Sequence, residues 1–197
     1  MTIYLIRHGE THWNRKHRLQ GILDVPLNCA GLGQARRLSA RLGRLAIPSI
    51  YTSPLRRARH TAFAIRGAQP WPVVVEDDLR EMDHGSWTGM RIAEIAEQHS
   101  EEHSLWKSSP ERLRNRTGEP LETVYRRSTR VLCRLLASET SQNVVMVSHG
   151  VVNALLLCSV LGIPIARVWD FPQANGSIYV LRSKRQEIHS VECLAHD

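Results

Sequence analysis

Two apolar runs in this chain end on a histidine. Residues 3–6 lead into Arg7, His8 and Gly9, and residues 144–147 lead into Ser148, His149 and Gly150. A neutral imidazole nitrogen can attack phosphorus, and a protonated imidazole can act as a cation beside a transferring group. The stretch SPLRRARHTA (residues 53–62) crowds Arg56, Arg57 and Arg59 together. The planar fork of arginine suits phosphate oxygens, yet three arginines so spaced cannot all face one site, and spacing alone does not choose among them. The stretch LREMDHGSWTGM (residues 79–90) holds Glu81. A carboxyl there can give up a proton to a leaving group, although in isolation it fits better as a surface carboxylate paired with Arg80. Taken together these residue types fit one chemistry. Phosphoryl transfer needs cations around charged oxygens, a nucleophile in line and an acid for the leaving oxygen.

Residues 3–6 read as a buried strand. Asn28 fits the N-cap of a helix whose apolar face is Leu32, Ala35, Leu38, Leu42 and Leu45, with Gly43 and Pro48 marking its end. Residues 49–52 read as a strand. Ser53 and Pro54 then suit the cap and first position of a helix with Leu55, Ala58, Ala62 and Ile65 inside. The N-terminus of that helix would itself attract an anion. Residues 73–75 form a further strand. Residues 91–98 and 121–137 read as helices, with a polar, poorly patterned stretch between them. Residues 144–147 are a strand and 151–161 a nearly all-apolar helix ended by Gly162 and Pro164. Residues 177–181 and 187–191 finish as strands, paired as a hairpin. This alternation predicts an α/β layered fold with a mostly parallel sheet. The segment 82–120 breaks the alternation and reads as a small lid. Ligands of such sheets bind beyond the carboxyl ends of the strands, where both histidines fall. Two neighbouring strands would bring them together, and the glycine after each would let the backbone turn and approach a ligand closely.

A chain of 197 residues suits a single domain spanning residues 1–197. Its formal charge of +7 favours anionic partners. Cys29, Cys133, Cys158 and Cys193 are scattered, as in a reducing compartment, and a cytoplasmic location is expected. The first apolar run is too short for a secretory signal. The most apolar stretch, residues 144–165, is interrupted by Ser148, His149, Gly150 and Asn153, and reads as strand, turn and helix rather than a membrane span. No basic stripe interleaved with aromatics points to nucleic acid. His99 and His103 stand four apart without a third ligand, so no metal site is expected.

LIRHGET, residues 5–11, resembles the signature of the histidine phosphatase superfamily, the phosphoglycerate mutase-like proteins. RHGETHWN is followed in the family's order by RLQG, DVPLNCAGLGQA, YTSPLRRARHTA, LREMDHGSWTG and VVMVSHGVVN, over roughly residues 2–155. The resemblance implies a three-layer α/β fold, with a mostly parallel central sheet flanked by helices and a lid inserted around residues 82–120. It implies a metal-independent phosphatase that uses no cofactor and hydrolyses a small phosphorylated metabolite. His8 would accept the phosphoryl group and Glu81 would serve as general acid and base. Arg7, Arg57 and His149 would hold the phosphate, and Asn14, Gln20 and Gly21 would line the substrate pocket. Glu81 is followed by Met-Asp-His-Gly, closer to the phosphatase form than to the Arg-His-Tyr-Gly of the longer cofactor-dependent mutases. His84 departs from the aromatic usual in its place, GSWTG from the acidic residues common there, and TGEPLE from the GGES of many phosphatases. Two other readings are a mutase-type phosphotransferase and a non-catalytic phosphate-binding protein on the same fold. Chain length and the stretch after Glu81 count against the first, and retention of all five pocket residues against the second. The natural substrate and the oligomeric state stay open at this level.

Overall fold

The structure, a computed structural model, describes residues 1–47, 49–113, 117–138 and 142–194. Its centre is a six-stranded sheet. In chain order the strands are β1 (Thr2–Arg7), β2 (Ser49–Thr52), β3 (Val73–Val75), β4 (Asn143–Ser148), β5 (Ile178–Lys184) and β6 (Glu187–Leu194). In space they run β3-β2-β4-β1-β5-β6. The first four are mutually parallel, and β5 and β6 add an antiparallel hairpin on one side. β4 is flanked by β1 and β2 and is buried from Val144 to Ser148, as a central parallel strand must be.

The pleat sorts the strand residues into two cores. Ile3, Leu5, Val144, Met146, Tyr179 and Leu181 face one way, toward α6 (Leu121–Ala137) and α7 (Gly150–Leu161). Ile6, Ile50, Val145, Val147, Ile178 and Val180 face the other, toward α2 (Cys29–Leu42) and α3 (Arg56–Arg66). The result is the expected three-layer arrangement, with a single short turn, α1 (His12–Arg15), in the loop after β1. α7 lacks a polar face because every residue from Val151 to Cys158 is buried between the sheet and its neighbours.

Asn28 caps α2 through its side chain, which accepts the Gly31 N–H at 2.8 Å. The inner face of α2 differs from the expected one. Gly31, Ala35, Leu38 and Leu42 are buried, Leu32 is 41% exposed, and Leu45 lies beyond the Gly43 cap, partly buried against the core. Gly31 is inside because the loop after β1 packs there: a Cβ on Gly9 would come within 2.5 Å of the Gly31 carbonyl oxygen. Gly9 is thus required by backbone packing on a helix. Pro48 lies outside the described residues.

α3 starts at Arg56, two residues later than Ser53 and Pro54 suggest, with Leu55 as its N-cap in extended backbone. Leu55, Ala58, Ala62 and Ile65 are buried as expected. The insertion supplies helical turns at Gly85–Trp87 and Pro110–Arg112, α4 (Ile92–Gln98) and α5 (Ser100–Ser108). α5 lies in the stretch that shows no clear pattern. Only Trp106 of its nine residues is buried, so no apolar stripe announces it. Among the described residues no helix is long and apolar enough to cross a membrane.

Candidate active site

β1 and β4 pair in parallel with Arg7 opposite Ser148, so both chains leave the sheet at the same level. The His8 and His149 rings meet edge to face, centroids 5.1 Å apart. A cleft of about 280 Å³ opens there, lined by Arg7, His8, Arg57 and Glu81 and by Asn14, Gln20 and Gly21. His149 is fully buried beside His8.

His8 has a defined tautomer. Its Nδ1 lies 2.7 Å from the Gly9 carbonyl oxygen. A carbonyl only accepts, so Nδ1 carries the hydrogen and the lone pair is on Nε2. Burial, then Arg57 and Arg7, holds the ring well below the usual imidazole pKa, so it is neutral at physiological pH. His8 therefore presents an unprotonated Nε2, which accepts from Arg57 Nε at 3.2 Å.

Of the three arginines only Arg57 is buried; Arg56 and Arg59 are exposed. Its guanidinium donates to the Leu23 carbonyl at 2.7 Å and the Gly21 carbonyl at 2.7 Å. Burial lowers its pKa to about 10, which leaves it cationic. Gly21 acts through that carbonyl, from a left-handed backbone at φ +51°, where a Cβ would lie 3.1 Å from Thr88 Oγ1. The N-terminus of α3 is not free for an anion. Asp24 Oδ1 accepts the Arg56 N–H at 2.6 Å, so the arginine side chain, not the helix end, meets the cleft. Arg7 is clamped by the Gln173 carbonyl.

His149 Nε2 lies 2.7 Å from Ser53 Oγ. Ser53 Oγ also accepts the Leu55 N–H at 3.3 Å. The His149 Nδ1 is buried with no hydrogen-bond partner among the described residues. Burial, then Arg57, His8 and Arg7, pushes the His149 pKa well down. In the free protein it is a neutral N–H donor rather than the second cation its sequence position suggested.

Glu81 is 9% exposed, and its Oε1 accepts the Met82 N–H at 2.9 Å. It is not paired with Arg80, which lies 3.8 Å from Glu119. The loop carrying Glu81 is pinned from below by Arg127, which donates to the carbonyls of Asp78, Arg80 and Glu81 and, bidentately, to Glu119 at 2.8 and 2.9 Å. Glu119 is the first glutamate of TGEPLE. Its role in this structure is to support the Glu81 loop.

Asn14 Oδ1 receives the Thr11 N–H, the Thr11 hydroxyl and Asn175 Nδ2, at 3.0–3.3 Å; its own Nδ2 is what it offers the cleft. Gln20 Oε1 is buried without a partner among the described residues. Sequence reasoning missed Ser53 as a histidine partner, the Arg127–Glu119 pair, and the 173–175 loop that clamps Arg7 and touches the His8 carbonyl. Arg127 falls on the inner stripe of α6 with Val124, Ser128 and Val131, where an arginine needs a buried partner; nothing local marks Ser53 as a histidine partner. Among the described residues no group of three His, Cys, Asp or Glu side chains could hold a metal ion.

His84 is buried too, and its pKa is lowered by burial. Three histidines are therefore neutral in the folded state below their usual value near 6.5. Above that value neither the folded nor the unfolded chain protonates them, and they add no slope. Below it the unfolded chain takes up protons that the folded chain refuses, so stability falls with pH, by about 1.4 kcal/mol per pH unit for each fully linked histidine. Urea unfolding midpoints between pH 7 and 5 should drop accordingly. A midpoint constant over that range contradicts neutral burial.

Comparison with known proteins places the chain in a family. The family model of the histidine phosphatase superfamily (branch 1) matches residues 3–194. Phosphoserine phosphatase 1 of Hydrogenobacter thermophilus is 35% identical over 184 residues, covering 93% of this chain and 87% of that protein. The adenosylcobalamin/α-ribazole phosphatase of Escherichia coli is 30% identical, covering 89% and 87%. The solved structure of Bacillus stearothermophilus YhfR superposes with a TM-score of 0.90 at 31% identity, covering 95% of this chain and 94% of that one. The chain thus belongs to the histidine phosphatase superfamily, branch 1, and is a phosphoric monoester hydrolase.

Proposed function

We propose that this protein hydrolyses a small phosphate monoester through a phosphohistidine on His8, without a metal ion, with Glu81 as general acid and then general base. The observation that carries the reading is the state of His8: a neutral ring, its hydrogen held on Nδ1 by Gly9 O, its Nε2 lone pair beside the Arg57 guanidinium. The substrate dianion takes the place of Nε2 as the partner of Arg57 Nε, and Arg7 neutralises its remaining charge. The His149 Nδ1–H donates to a phosphate oxygen. A dianion beside His149 also offsets the cations that depress its pKa, so substrate binding favours its protonation.

Nε2 attacks phosphorus in line. The N–P bond forms as the P–O bond to the alcohol breaks, and Glu81 delivers its proton to the departing oxygen. The product alcohol leaves. Water then attacks the phosphorus, Glu81 takes its proton, the N–P bond breaks, and inorganic phosphate departs. The two guanidinium groups supply the positive charge the transition state needs. The names of the relatives, phosphoserine and α-ribazole phosphatases, support a small phosphorylated metabolite as substrate. Four unpaired cysteines support action in the reducing cytoplasm.

The test is release of phosphate from p-nitrophenyl phosphate in the presence of a metal chelator, run beside 3-phosphoglycerate with and without a bisphosphate primer. Hydrolysis of the aryl ester, unaffected by the chelator, is expected. Primer-dependent isomerisation of 3-phosphoglycerate without net phosphate release would replace the phosphatase reading with a mutase.

A further inference from the structure

Beside the His8 cleft lies a second hollow of about 330 Å³, walled by Leu19, Ile92, Ile95, Trp106 and Trp169, with His103 and Lys107 as its polar lining. Leu19, Ile92, Trp106 and Trp169 line the cleft as well, so the two hollows adjoin across these side chains. Their chemistry differs. The cleft carries Arg7, Arg57 and Glu81, whereas the annex is mainly aliphatic and indole surface.

Two large apolar side chains are left open there: Ile92 is 42% and Trp169 39% exposed. Single exposed apolar residues are ordinary on a protein surface, but here two of them face one hollow already walled by three more. The aromatic wall is also held in place. Trp169 Nε1 donates to the Trp106 carbonyl at 2.7 Å. Its ring meets Trp106 edge to face at 4.6 Å, and Trp106 in turn packs against His84 at 6.0 Å and Trp87 at 6.3 Å. An indole wall fixed by its own hydrogen bond binds a flat apolar group without further ordering cost.

We infer that the annex is a substrate subsite, and that the monoester bears an apolar ring or chain set apart from the phosphate by a spacer. The inference rests on the phosphatase reading, because the phosphate must sit at His8 for the remainder of the substrate to reach the annex. A short polar alcohol would leave these walls exposed to water. His84 stands where this chain departs from the motif it otherwise follows, between Glu81 and Trp106, and thereby joins the catalytic loop to the annex wall.

A series of ω-phenylalkyl phosphates, compared with ethyl phosphate and O-phosphoserine, tests this. The leaving groups of the phenylalkyl series and ethyl phosphate are primary alkoxides, so differences report the tail rather than its need for a proton. Each buried methylene is worth about fourfold in binding. The best phenylalkyl phosphate should therefore exceed ethyl phosphate by about 10–100-fold in kcat/KM, with an optimum at an intermediate spacer. Trp169→Ala and Ile92→Ser alter surface positions, and each should cut that ratio at least threefold. Dissociation constants for the same esters on His8→Ala give the ratio without turnover. Equal values at every spacer length overturn the annex, whether or not the esters are hydrolysed. So does a large ratio that both variants leave unchanged, since the tail then binds elsewhere. Tight, Trp169-dependent binding without hydrolysis would uphold the annex and overturn the phosphatase reading instead.

Discussion

His8→Ala should abolish turnover while leaving the protein folded. Removing an enzyme's nucleophile costs on the order of 10⁶ in kcat, because no other group can form the covalent intermediate. The backbone does not depend on the imidazole. The His8 N–H is held by the Ser148 carbonyl at 3.0 Å, and the Gly9 N–H by Thr61 Oγ1 at 3.1 Å. The substitution leaves Arg57 Nε and the Gly9 carbonyl short of one partner each, a loss of about 1–3 kcal/mol per group, which a chain of this size should survive. Circular dichroism and thermal unfolding check the fold, and phosphate release checks the activity. Rapid quenching of the wild-type protein with labelled substrate should trap acid-labile, base-stable label, absent from the variant. Activity in His8→Ala within tenfold of wild type would remove the covalent mechanism.

Glu81→Gln should produce the second largest loss, and its size should depend on the leaving group. An alkoxide needs a proton as it departs and a nitrophenolate hardly does. General acid catalysis contributes about 10²–10⁴-fold, so the variant should lose that much on an alkyl or sugar phosphate and much less on p-nitrophenyl phosphate. The comparison must follow the phosphorylation step in single turnover, since in the steady state both substrates also lose the base that activates water. Glutamine keeps the Oε1 contact with the Met82 N–H, so the loop should hold its place. Asp83→Asn is the control. Asp83 Oδ1 accepts the Gly85 N–H at 2.8 Å and serves the turn rather than the cleft. Leaving-group dependence in Asp83→Asn but not in Glu81→Gln would move the acid to Asp83.

The insertion carries more of the site than a cover would need to. Its first loop holds Glu81 and His84 against the cleft, and the Glu119 N–H donates to the Asp83 carbonyl at 2.8 Å, closing that loop from its far end. Arg127 on α6 completes the brace from within the core, 3% exposed and paired with a carboxylate whose side chain is 9% exposed. A buried pair of this kind adds little net stability. What it does here is fix three carbonyls of one loop, those of Asp78, Arg80 and Glu81, and with them the position of the acid.

Much of this was legible in the sequence because it is local. Strand alternation, the Asn28 cap, the bounds of β2, β3 and α6, and the Gly162 stop follow from periodicity and backbone preference within a few residues. The repeat of an apolar run ending in histidine marked both halves of the site, although 140 positions of chain lie between His8 and His149. Tertiary structure decided the remainder. Only the pairing of β1 with β4 sets the two rings together, and only burial singles out Arg57 from its neighbours by geometry. The α3 terminus was taken by Asp24, Leu32 was displaced from the core by the Gly9–Gly31 contact, and Ser53, which accepts the Leu55 N–H, also became the partner of His149. Each of these is a contest for one backbone group or one volume between residues distant in sequence. The protonation of His149 belongs with them: its residue type allows a cation, and the low dielectric and two guanidiniums assembled around it by the fold make it a neutral donor.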